Sequence, residues 1–259
     1  MDEHGPVRSV ARAADILLAL EDGPKSLGRI SQRTGLSKPT AHRLLASLAY
    51  RQMVIQNPLT VEYALGPGCL RVADAIMRGA AGIGSLVMPI LESLAATSGE
   101  TVAIHVRAGL ERICIGQVPS SQPVRYTAHV GATYPIHSGA MGKVLLAFSD
   151  DAERQDLLER IPLPALTAAT ITDRAHLEAE IERIRALGAG TSRGERANGV
   201  AAMSAPVFGP DGRLLAALSI LGPDARLSDS VFASLRPALL AAAAACAERL
   251  RGRPQAEAI

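Results

Sequence analysis

The sequence predicts a two-domain α/β protein of the α+β type. We expect an N-terminal winged helix-turn-helix, a linker helix, and a C-terminal domain with an antiparallel sheet flanked by helices. Three observations support this fold class: the chain has 259 residues, three short helical patterns precede a hairpin, and strand patterns dominate after Gly99. The predicted boundaries are 1–66 for the first domain, 67–84 for the linker helix and 85–259 for the second domain.

The first two helices are short and amphipathic. Apolar residues recur at helical spacing from Val7 to Leu20, before Asp22-Gly23-Pro24 ends the pattern. The predicted buried stripe of this helix consists of Val10, Ala13, Ala14, Leu17 and Leu18. Ser26 stands where an N-cap belongs, so Leu27–Thr34 is a second helix that ends at Gly35.

A third helix and a hairpin complete the N-terminal domain. Ser37 is the predicted N-cap of a helix from Lys38 to Gln52, with Pro39 tolerated in its first turn. The buried stripe of this helix is predicted to be Ala41, Leu44, Leu45 and Leu48. The strands of the hairpin are predicted at Met53–Gln56 and Val61–Ala64, around a turn at Asn57–Thr60.

The remaining chain alternates between helices and strands. Gly66-Pro67-Gly68 precedes a helix at Cys69–Arg78, then 79–84 is small and loose, and Ser85–Thr97 is helical. Strands are predicted at Thr101–Arg107, Arg112–Val118, Val124–Ile136, Val200–Phe208 and Leu214–Leu221. The later helices are predicted at Ser138–Phe148, Asp150–Arg160, from a Thr172 cap to Leu187, and at Ser228–Leu250.

Composition excludes several classes of protein. No apolar run approaches the roughly 20 residues of a membrane helix, and the N-terminus has no secretory signal pattern. The cysteines Cys69, Cys114 and Cys246 are too far apart for a disulfide framework or a zinc motif, so reduced thiols are expected. We therefore expect a cytoplasmic protein without a membrane partner, metal or cofactor.

The charge is concentrated in one segment, although the net charge is only +2. The stretch from Gly23 to Val61 contains no acidic residue. Its basic residues are Lys25, Arg29, Arg33, Lys38, Arg43 and Arg51. A local basic stripe of this kind is typical of a phosphate-binding module, and a solvated helix face is the alternative.

The exposed side of the third helix carries the residues expected to contact DNA. Ser37 and Thr40 lie in its first turn, where hydroxyl and free N–H groups can hold a phosphate. Arg43 is the candidate for reading a base edge, most naturally guanine, and Lys38 for a phosphate. The full set of candidates is Ser37, Lys38, Pro39, Thr40, His42, Arg43 and, in the wing, Asn57.

An enzymatic function is the less favoured interpretation. The possible catalytic residues are His105, Cys114, His137, Ser138 and Lys143. They form neither a Gly-x-Ser-x-Gly elbow nor a metal-ligand spacing. Gly142-Lys143 is similar to the end of a phosphate loop, but His137 and Val144 stand where that motif requires glycine and Ser/Thr. No catalytic activity is expected.

Segments along nearly the whole chain resemble IclR-type (isocitrate lyase regulator) transcription factors. They are Arg12–Leu20, Thr34–Leu48, Tyr63–Gly66, Gly99–Val102, Pro135–Ala147, Thr170–Asp173, Gly199–Val200, Ala205–Phe208 and Ala217–Pro223. The resemblance implies a ligand-responsive regulator, more often a repressor than an activator, that binds palindromic double-stranded DNA. It also implies a homodimer or a dimer of dimers and a GAF-like effector domain. A ligand-binding or protein-interaction module that never meets DNA is the alternative.

The resemblance further implies a pocket for a small carboxylate effector, held by backbone groups of Ala140 and Met141 at a helix N-terminus. The other implied pocket residues are Tyr126, Tyr134, Ser192, Ala202, Ser219 and Leu221. Members that sense small keto acids tend to have an acidic residue, a cysteine and a second serine in place of Ser192, Ala202 and Leu221. A pocket with few polar groups predicts a larger hydrophobic or aromatic acid.

Overall fold

The computed structural model describes residues 7–78 and 82–251. Contacts divide the chain into two compact units, 1–78 and 79–259. The first unit contains three helices, a hairpin and a fourth helix. Its elements are α1 (Arg8–Ala19), α2 (Leu27–Thr34), α3 (Lys38–Tyr50), β1 (Val54–Gln56), β2 (Tyr63–Leu65) and α4 (Pro67–Arg78). This order confirms the predicted winged helix-turn-helix.

The turn between α2 and α3 is built by local capping, as the sequence predicts. The side chain of Ser26 accepts a hydrogen bond from the backbone N–H of Arg29, and the side chain of Ser37 accepts one from Thr40. Gly35 takes a left-handed conformation at the end of α2, with φ of 68°. Such a conformation is unstrained only for glycine. The two helices are therefore set at a fixed turn.

The core of the first unit confirms one predicted stripe and corrects the other. In α3, Ala41 and Leu45 are fully buried, and Leu44 and Leu48 pack partly against the core. In α1 the predicted stripe is wrong at Val10, which is 66% exposed, and at Leu18, which is 62% exposed, whereas Leu17 packs partly against the core. The buried residues are Ile16 and Ala19 of α1 and Leu20, which caps the C-terminal end of the helix. Ile16 and Leu20 are one helical turn apart and face α2 and α3.

The wing has a longer turn than the sequence predicts. Val61 has φ of 59° and donates its N–H to the carbonyl of Asn57, so it closes the turn instead of starting a strand. Strand β2 begins at Tyr63, and the backbone of Tyr63 also pairs with Lys25. Helix α4 begins at Pro67, two residues earlier than predicted.

The second unit is a six-stranded antiparallel sheet with helices on both faces. Its helices are α5 (Gly82–Ser98), α6 (Gly139–Ala147), α7 (Asp151–Arg160), α8 (Arg174–Leu187) and α9 (Asp229–Leu250). Its strands are β3 (Thr101–Ala108), β4 (Glu111–Val118), β5 (Thr133–Pro135), β6 (Gly190–Arg193), β7 (Val200–Phe208) and β8 (Leu214–Pro223). The strand order is β5-β4-β3-β8-β7-β6.

Alternation along the strands produces two cores. On β3, Val102 and Ile104 face the cluster that contains apolar residues of α5 and α9. Ala103, between them, faces the cluster formed with α6 and α8. Successive residues of a strand point to opposite faces, so both faces of the sheet are covered. The second cluster contains the cavity described below.

Two glycines permit close packing of helices on this sheet. A Cβ at Gly84 of α5 would lie 2.1 Å from the carbonyl oxygen of Ile115, and one at Gly142 of α6 would lie 2.0 Å from that of Ile136. The glycine of the Gly142-Lys143 pair thus has a packing reason. Gly82–Gly84 are helical, so the predicted loose segment is wrong there, and 79–81 lie outside the described residues.

Three other local predictions are corrected. The segment predicted as a strand at Val124–Ile136 pairs as a strand only at Thr133–Pro135, and a turn with Gly131 at φ of 87° precedes it. The cap of α8 is Asp173, which accepts the N–H of His176, and not Thr172. Strand β6 is missing from the prediction because Gly190–Arg193 has no apolar alternation. The boundaries 67–84 of the linker remain a prediction.

Candidate functional site

The exposed face of α3 presents the predicted contact residues to solvent. Lys38, Pro39, His42 and Arg43 are exposed, and Thr40 is half-buried. The side chains of Lys38 and Arg43 make no hydrogen bond or ion pair within the described part of the chain. Both are therefore available to an external anion.

The two hydroxyls of the first turn are already engaged with each other. Ser37 Oγ and Thr40 Oγ1 lie 2.8 Å apart, and Ser37 Oγ accepts the N–H of Thr40 at 3.4 Å. The N-terminal end of α3 still carries backbone N–H groups that have no intrahelical partner. Backbone groups and Lys38 are thus better placed than the hydroxyls to hold a phosphate.

Part of the basic stripe is neutralised from just outside it. Asp22 accepts from Arg33 at 2.7 Å and from Lys25, and these two hydrogen bonds lower its pKa to about 2. Among the described residues, Arg29 has no such carboxylate partner. The same holds for Arg51, so the uncompensated positive charge of the stripe is carried by Arg29, Lys38, Arg43 and Arg51.

The wing residue Asn57 has a structural role in its own turn. Its Oδ1 accepts the N–H of Leu59 at 2.8 Å and that of Thr60 at 3.2 Å. Only the amide nitrogen of Asn57 remains to contact a partner. Leu59, at the tip, is 91% exposed.

A cavity that is partly open to solvent lies beside the N-terminus of α6; its empty space, counted together with the solvent at its mouth, is about 430 Å³. Its walls come from all six strands of the sheet, from the first turn of α6, from the segment before β5, and from the loop after β6. The lining residues are His105, Arg112, Tyr126, Ala128, Tyr134, Gly139, Ala140, Met141, Ser192, Glu195, Arg196, Val200, Ala202 and Leu221.

The structure brings together seven of the eight predicted pocket residues. They are Tyr126, Tyr134, Ala140, Met141, Ser192, Ala202 and Leu221. Ser219 is placed elsewhere: it is fully buried, accepts from Ser204 Oγ at 2.8 Å and donates to the carbonyl of Met203 at 2.9 Å. Ser219 lies on β8 two residues before Leu221, so both side chains point to the same face of the sheet. Ser219 is the next residue on that face, further from the cavity.

Two arginines place positive charge in the cavity. Arg112 is 1% exposed, and its one hydrogen bond within the described chain runs from Nη2 to the carbonyl of Ser138 at 3.3 Å. The Arg112 guanidinium lies 5.0 Å from the ring centroid of Tyr134. The guanidinium of Arg196 lies 4.3 Å from that ring and 4.9 Å from the ring of Tyr126. The aromatic faces partly replace water around both cations.

Burial weakens the charged state of both arginines. Desolvation, and next the positive charge of Arg196, lower the pKa of Arg112 to about 9. Desolvation also lowers the pKa of Arg196. Both remain cationic at neutral pH, so an anion that enters the cavity meets two charges that water does not screen well.

His105 contributes an unpartnered neutral ring. It is fully buried, 5.7 Å from the ring of Tyr134, and neither ring nitrogen has a hydrogen-bond partner. Desolvation, followed by the charges of Arg112 and Arg196, holds its pKa well below 6.5. The neutral ring can donate one hydrogen bond and accept another.

The N-terminus of α6 already holds a carboxylate of the protein. Glu195 Oε2 accepts the N–H of Gly139 at 2.9 Å, and Glu195 Oε1 accepts from Lys143 Nζ. Lys143 also donates to Glu180 at 3.1 Å. The lysine that follows Gly142 is thus neutralised internally and does not face a nucleotide phosphate.

The predicted set of pocket residues is incomplete, because it misses the polar groups of the cavity. His105, Arg112, Glu195 and Arg196 all line the cavity, and none was among the predicted pocket residues. A signal for Arg112 existed, because it is two residues from the buried Cys114 and so faces the same side of β4. Arg196 lies in a loop, where no periodicity indicates direction.

The other possible catalytic groups have structural partners. His137 Nε2 lies 3.1 Å from the carbonyl oxygen of Pro164, and Ser138 Oγ donates to the carbonyl of Glu195. Cys114 is buried, and desolvation raises its pKa to about 11. In the described ranges, no group of three His, Cys, Asp or Glu side chains could hold a metal ion.

Two family models match this chain over most of its length. The IclR helix-turn-helix domain matches residues 9–58, and the bacterial transcriptional regulator IclR C-terminal domain matches residues 79–248. The chain belongs to the IclR family. IclR proteins are transcriptional regulators that bind DNA through the helix-turn-helix, which agrees with the exposed face of α3.

Similarity to individual IclR regulators extends over nearly the whole chain. The regulator BhcR of Paracoccus denitrificans is 30% identical over 93% of this chain and 87% of its own. The transcriptional repressor IclR of Escherichia coli K12 is 31% identical over 87% of this chain and 83% of its own. Both relatives are transcriptional regulators, and the second is a repressor.

Solved structures of the IclR family share the fold. A transcriptional regulator from Rhodococcus sp. RHA1 superposes with a TM-score of 0.79 at 28% identity, covering 95% of this chain and 98% of its own. An IclR homologue from Microbacterium hydrocarbonoxydans, solved with 4-hydroxybenzoate, has a TM-score of 0.79 at 22% identity and covers 95% of this chain and 100% of its own.

Helix α9 is long and apolar enough, by length and composition, to cross a membrane. Five of its residues are buried against the sheet: Phe232, Leu239, Ala243, Cys246 and Leu250. A core helix of a soluble protein passes the same test of length and composition. The helix therefore gives only weak evidence for a membrane span.

Proposed function

We propose that this IclR protein is a ligand-responsive, sequence-specific DNA-binding regulator whose effector is a small organic acid. The observation that carries the proposal is the desolvated, positively charged cavity in a chain that also has a helix-turn-helix. A buried guanidinium without a counter-ion is unfavourable for stability alone. A guanidinium at this position of the cavity is accounted for if the cavity binds an anion.

The DNA contacts are proposed from the exposed face of α3. Arg43 reads a base edge in the major groove, and Lys38 with the N-terminal N–H groups of α3 holds a phosphate. Ser37, Pro39, Thr40 and His42 line the same face, and Asn57 supports the wing that approaches the adjacent backbone.

The effector carboxylate is proposed to lie against Arg112, with the N–H groups of Ala140 and Met141 nearby. The rings of Tyr126 and Tyr134 and the apolar side chain of Leu221 favour an aromatic acid. The homologue solved with 4-hydroxybenzoate shows only a shared fold, but it makes that acid a sensible first probe.

The remaining proposals concern the assembly. We expect a cytoplasmic homodimer, or a dimer of dimers, on a palindromic operator, where it acts as a repressor and not as an enzyme. Effector binding would shift the balance between two arrangements of the DNA-binding heads through the linker helix α4, because the effector has different affinities for the two states.

A gel-shift assay tests this function. The purified protein is mixed with DNA upstream of its own gene at two salt concentrations, with excess nonspecific competitor. A competitor-resistant shift that changes with 4-hydroxybenzoate or benzoate is the expected result. Binding to a broad panel of genomic fragments that is no tighter than to random DNA would contradict the proposal and favour a protein-interaction module.

A further inference from the structure

The charges around the cavity do not balance. On one side, Lys143 Nζ contacts Glu195 Oε1 and Glu180 Oε1, the latter at 3.1 Å. Arg183 Nε contacts Glu180 Oε2 at 2.7 Å. In this cluster two cations face two carboxylates, so it is close to neutral. Glu195 is thereby committed to Lys143 and to the N–H of Gly139.

Arg112 and Arg196 have no counter-ion in this cluster. Neither guanidinium has a carboxylate within 4.0 Å among the described residues. Arg112 is almost completely buried, and its Nε has no hydrogen-bond partner. The positive charge of Arg196 disfavours the charged state of Arg112, and both guanidiniums pack on the ring of Tyr134.

We propose that the cavity is built for a dianion, namely an aromatic dicarboxylate with one carboxylate on Arg112 and the other on Arg196. This inference rests on the proposed function, because it specifies the class of acid bound at the same site. The neutral ring of His105, with both nitrogens unpartnered, supplies a further hydrogen-bond donor for the deeper carboxylate.

A monocarboxylate satisfies this site incompletely. It neutralises one guanidinium and leaves the other in a poorly hydrated position, whereas a dicarboxylate pairs both. The two charges lie at different depths, since Arg112 is buried and Arg196 is half-buried. An aromatic spacer suits this site because Tyr126, Tyr134, Met141 and Leu221 form its walls with rings and apolar side chains.

Calorimetric titration of the full chain tests the charge requirement. The probes are phthalate, isophthalate and terephthalate, each compared with its own monomethyl ester, together with benzoate and 4-hydroxybenzoate. The ester keeps the ring and the bulk but removes one charge. We expect at least one diacid to bind about 10-fold or more tightly than its ester and than benzoate, because only the diacid pairs both guanidiniums.

A variant assigns the second charge to its arginine. Arg196→Gln is preferred to a change at Arg112 because Arg196 is half-buried in a loop and its loss leaves the sheet intact. We expect the diacid to lose about 10-fold in affinity while its ester changes less than about 3-fold, so that the preference disappears. Arg196→Lys keeps the charge and should retain part of the preference.

Arg125→Gln is the matched control, since Arg125 is exposed and bonds only to the carbonyl of Gln122 among the described residues. It should preserve the preference for the diacid. If every diacid binds like its monomethyl ester, the dianion inference is overturned while the proposed organic-acid effector stands. If no acid binds, including benzoate and 4-hydroxybenzoate, both the inference and the effector part of the proposed function fail.

Discussion

Arginine occupies two opposite environments in this protein. On α3, Arg43 is exposed to water and has no partner in the described chain. In the second unit, Arg112 is 1% exposed and lies between β4, Tyr134 and the carbonyl of Ser138. A solvated charge has little effect on the free energy of unfolding, and salt screens it. A buried charge without a counter-ion lowers the free energy of unfolding, and salt screens it little. The first suits DNA, and the second suits a small ligand.

Replacement of Arg112 should have the largest effect, because it removes the buried charge of this comparison. We expect Arg112→Met to lose about 100-fold or more in affinity for carboxylate ligands, because the buried charge is removed. The free energy of unfolding without ligand should stay the same or rise by about 1–3 kcal/mol, since methionine fills similar space without a charge. Calorimetric titration and urea denaturation measure the two effects.

A large loss of stability in Arg112→Met would contradict this view of the cavity. It would mean that the hydrogen bond to the carbonyl of Ser138 holds the sheet to α6 more strongly than the charge opposes folding. Arg107→Met on the neighbouring strand is a suitable control. Arg107 is half-buried and pairs with Glu153.

Replacement of Arg43 should weaken operator binding without affecting stability. Arg43→Ala is expected to lose about 1–3 kcal/mol of specific binding and to relax the preference at one base position. Stability should change by less than about 0.5 kcal/mol because the side chain is exposed. Competition gel shifts on a mapped operator and its single-base variants measure the change.

Lys38→Ala is the matched variant for that experiment. This variant should weaken binding to all DNA sequences about equally. It should also reduce the slope of log affinity against log salt concentration by about 1, as expected for the loss of one phosphate contact. Equal binding of the operator by Arg43→Ala and the wild type would remove Arg43 from the base-reading role.

The smallest expected effect concerns pH. Burial keeps the pKa of His105 well below 6.5, with Arg112 and Arg196 disfavouring the charged ring further. The folded protein therefore stays unprotonated at this site while the unfolded chain takes up a proton below pH 6.5. The free energy of unfolding should fall by up to about 1.4 kcal/mol per pH unit below 6.5 from this residue.

Urea denaturation between pH 7 and about pH 5 measures this slope, and His105→Gln should flatten it. His137, whose pKa burial also lowers, contributes in the same direction and remains in the variant. An unchanged slope in His105→Gln would show that His105 is not the group that titrates.

Local signals made most of the fold predictable. Ser26 and Ser37 act through hydrogen bonds to residues three positions further along, and Gly35 acts through its own backbone conformation, so the helix-turn-helix could be predicted from the sequence. The predictions failed where contacts between residues far apart in sequence determine the structure. Ile16 of α1 faces the core because α2 and α3 pack against it, and β6 is a strand because it pairs with β7.

The sequence by itself determined the order of elements apart from β6, the exposed basic face of α3 and, through the family resemblance, seven of the residues around the cavity. The tertiary structure alone decided that Ser219 belongs to the buried pair with Ser204, that Glu195 occupies the N-terminus of α6, and that Arg112 and Arg196 share one cavity. The physical reason is the difference in sequence range between the two kinds of interaction. Helix periodicity and caps act within one or two turns, whereas the meeting of β4 with the 194–199 loop depends on strand register across the whole sheet.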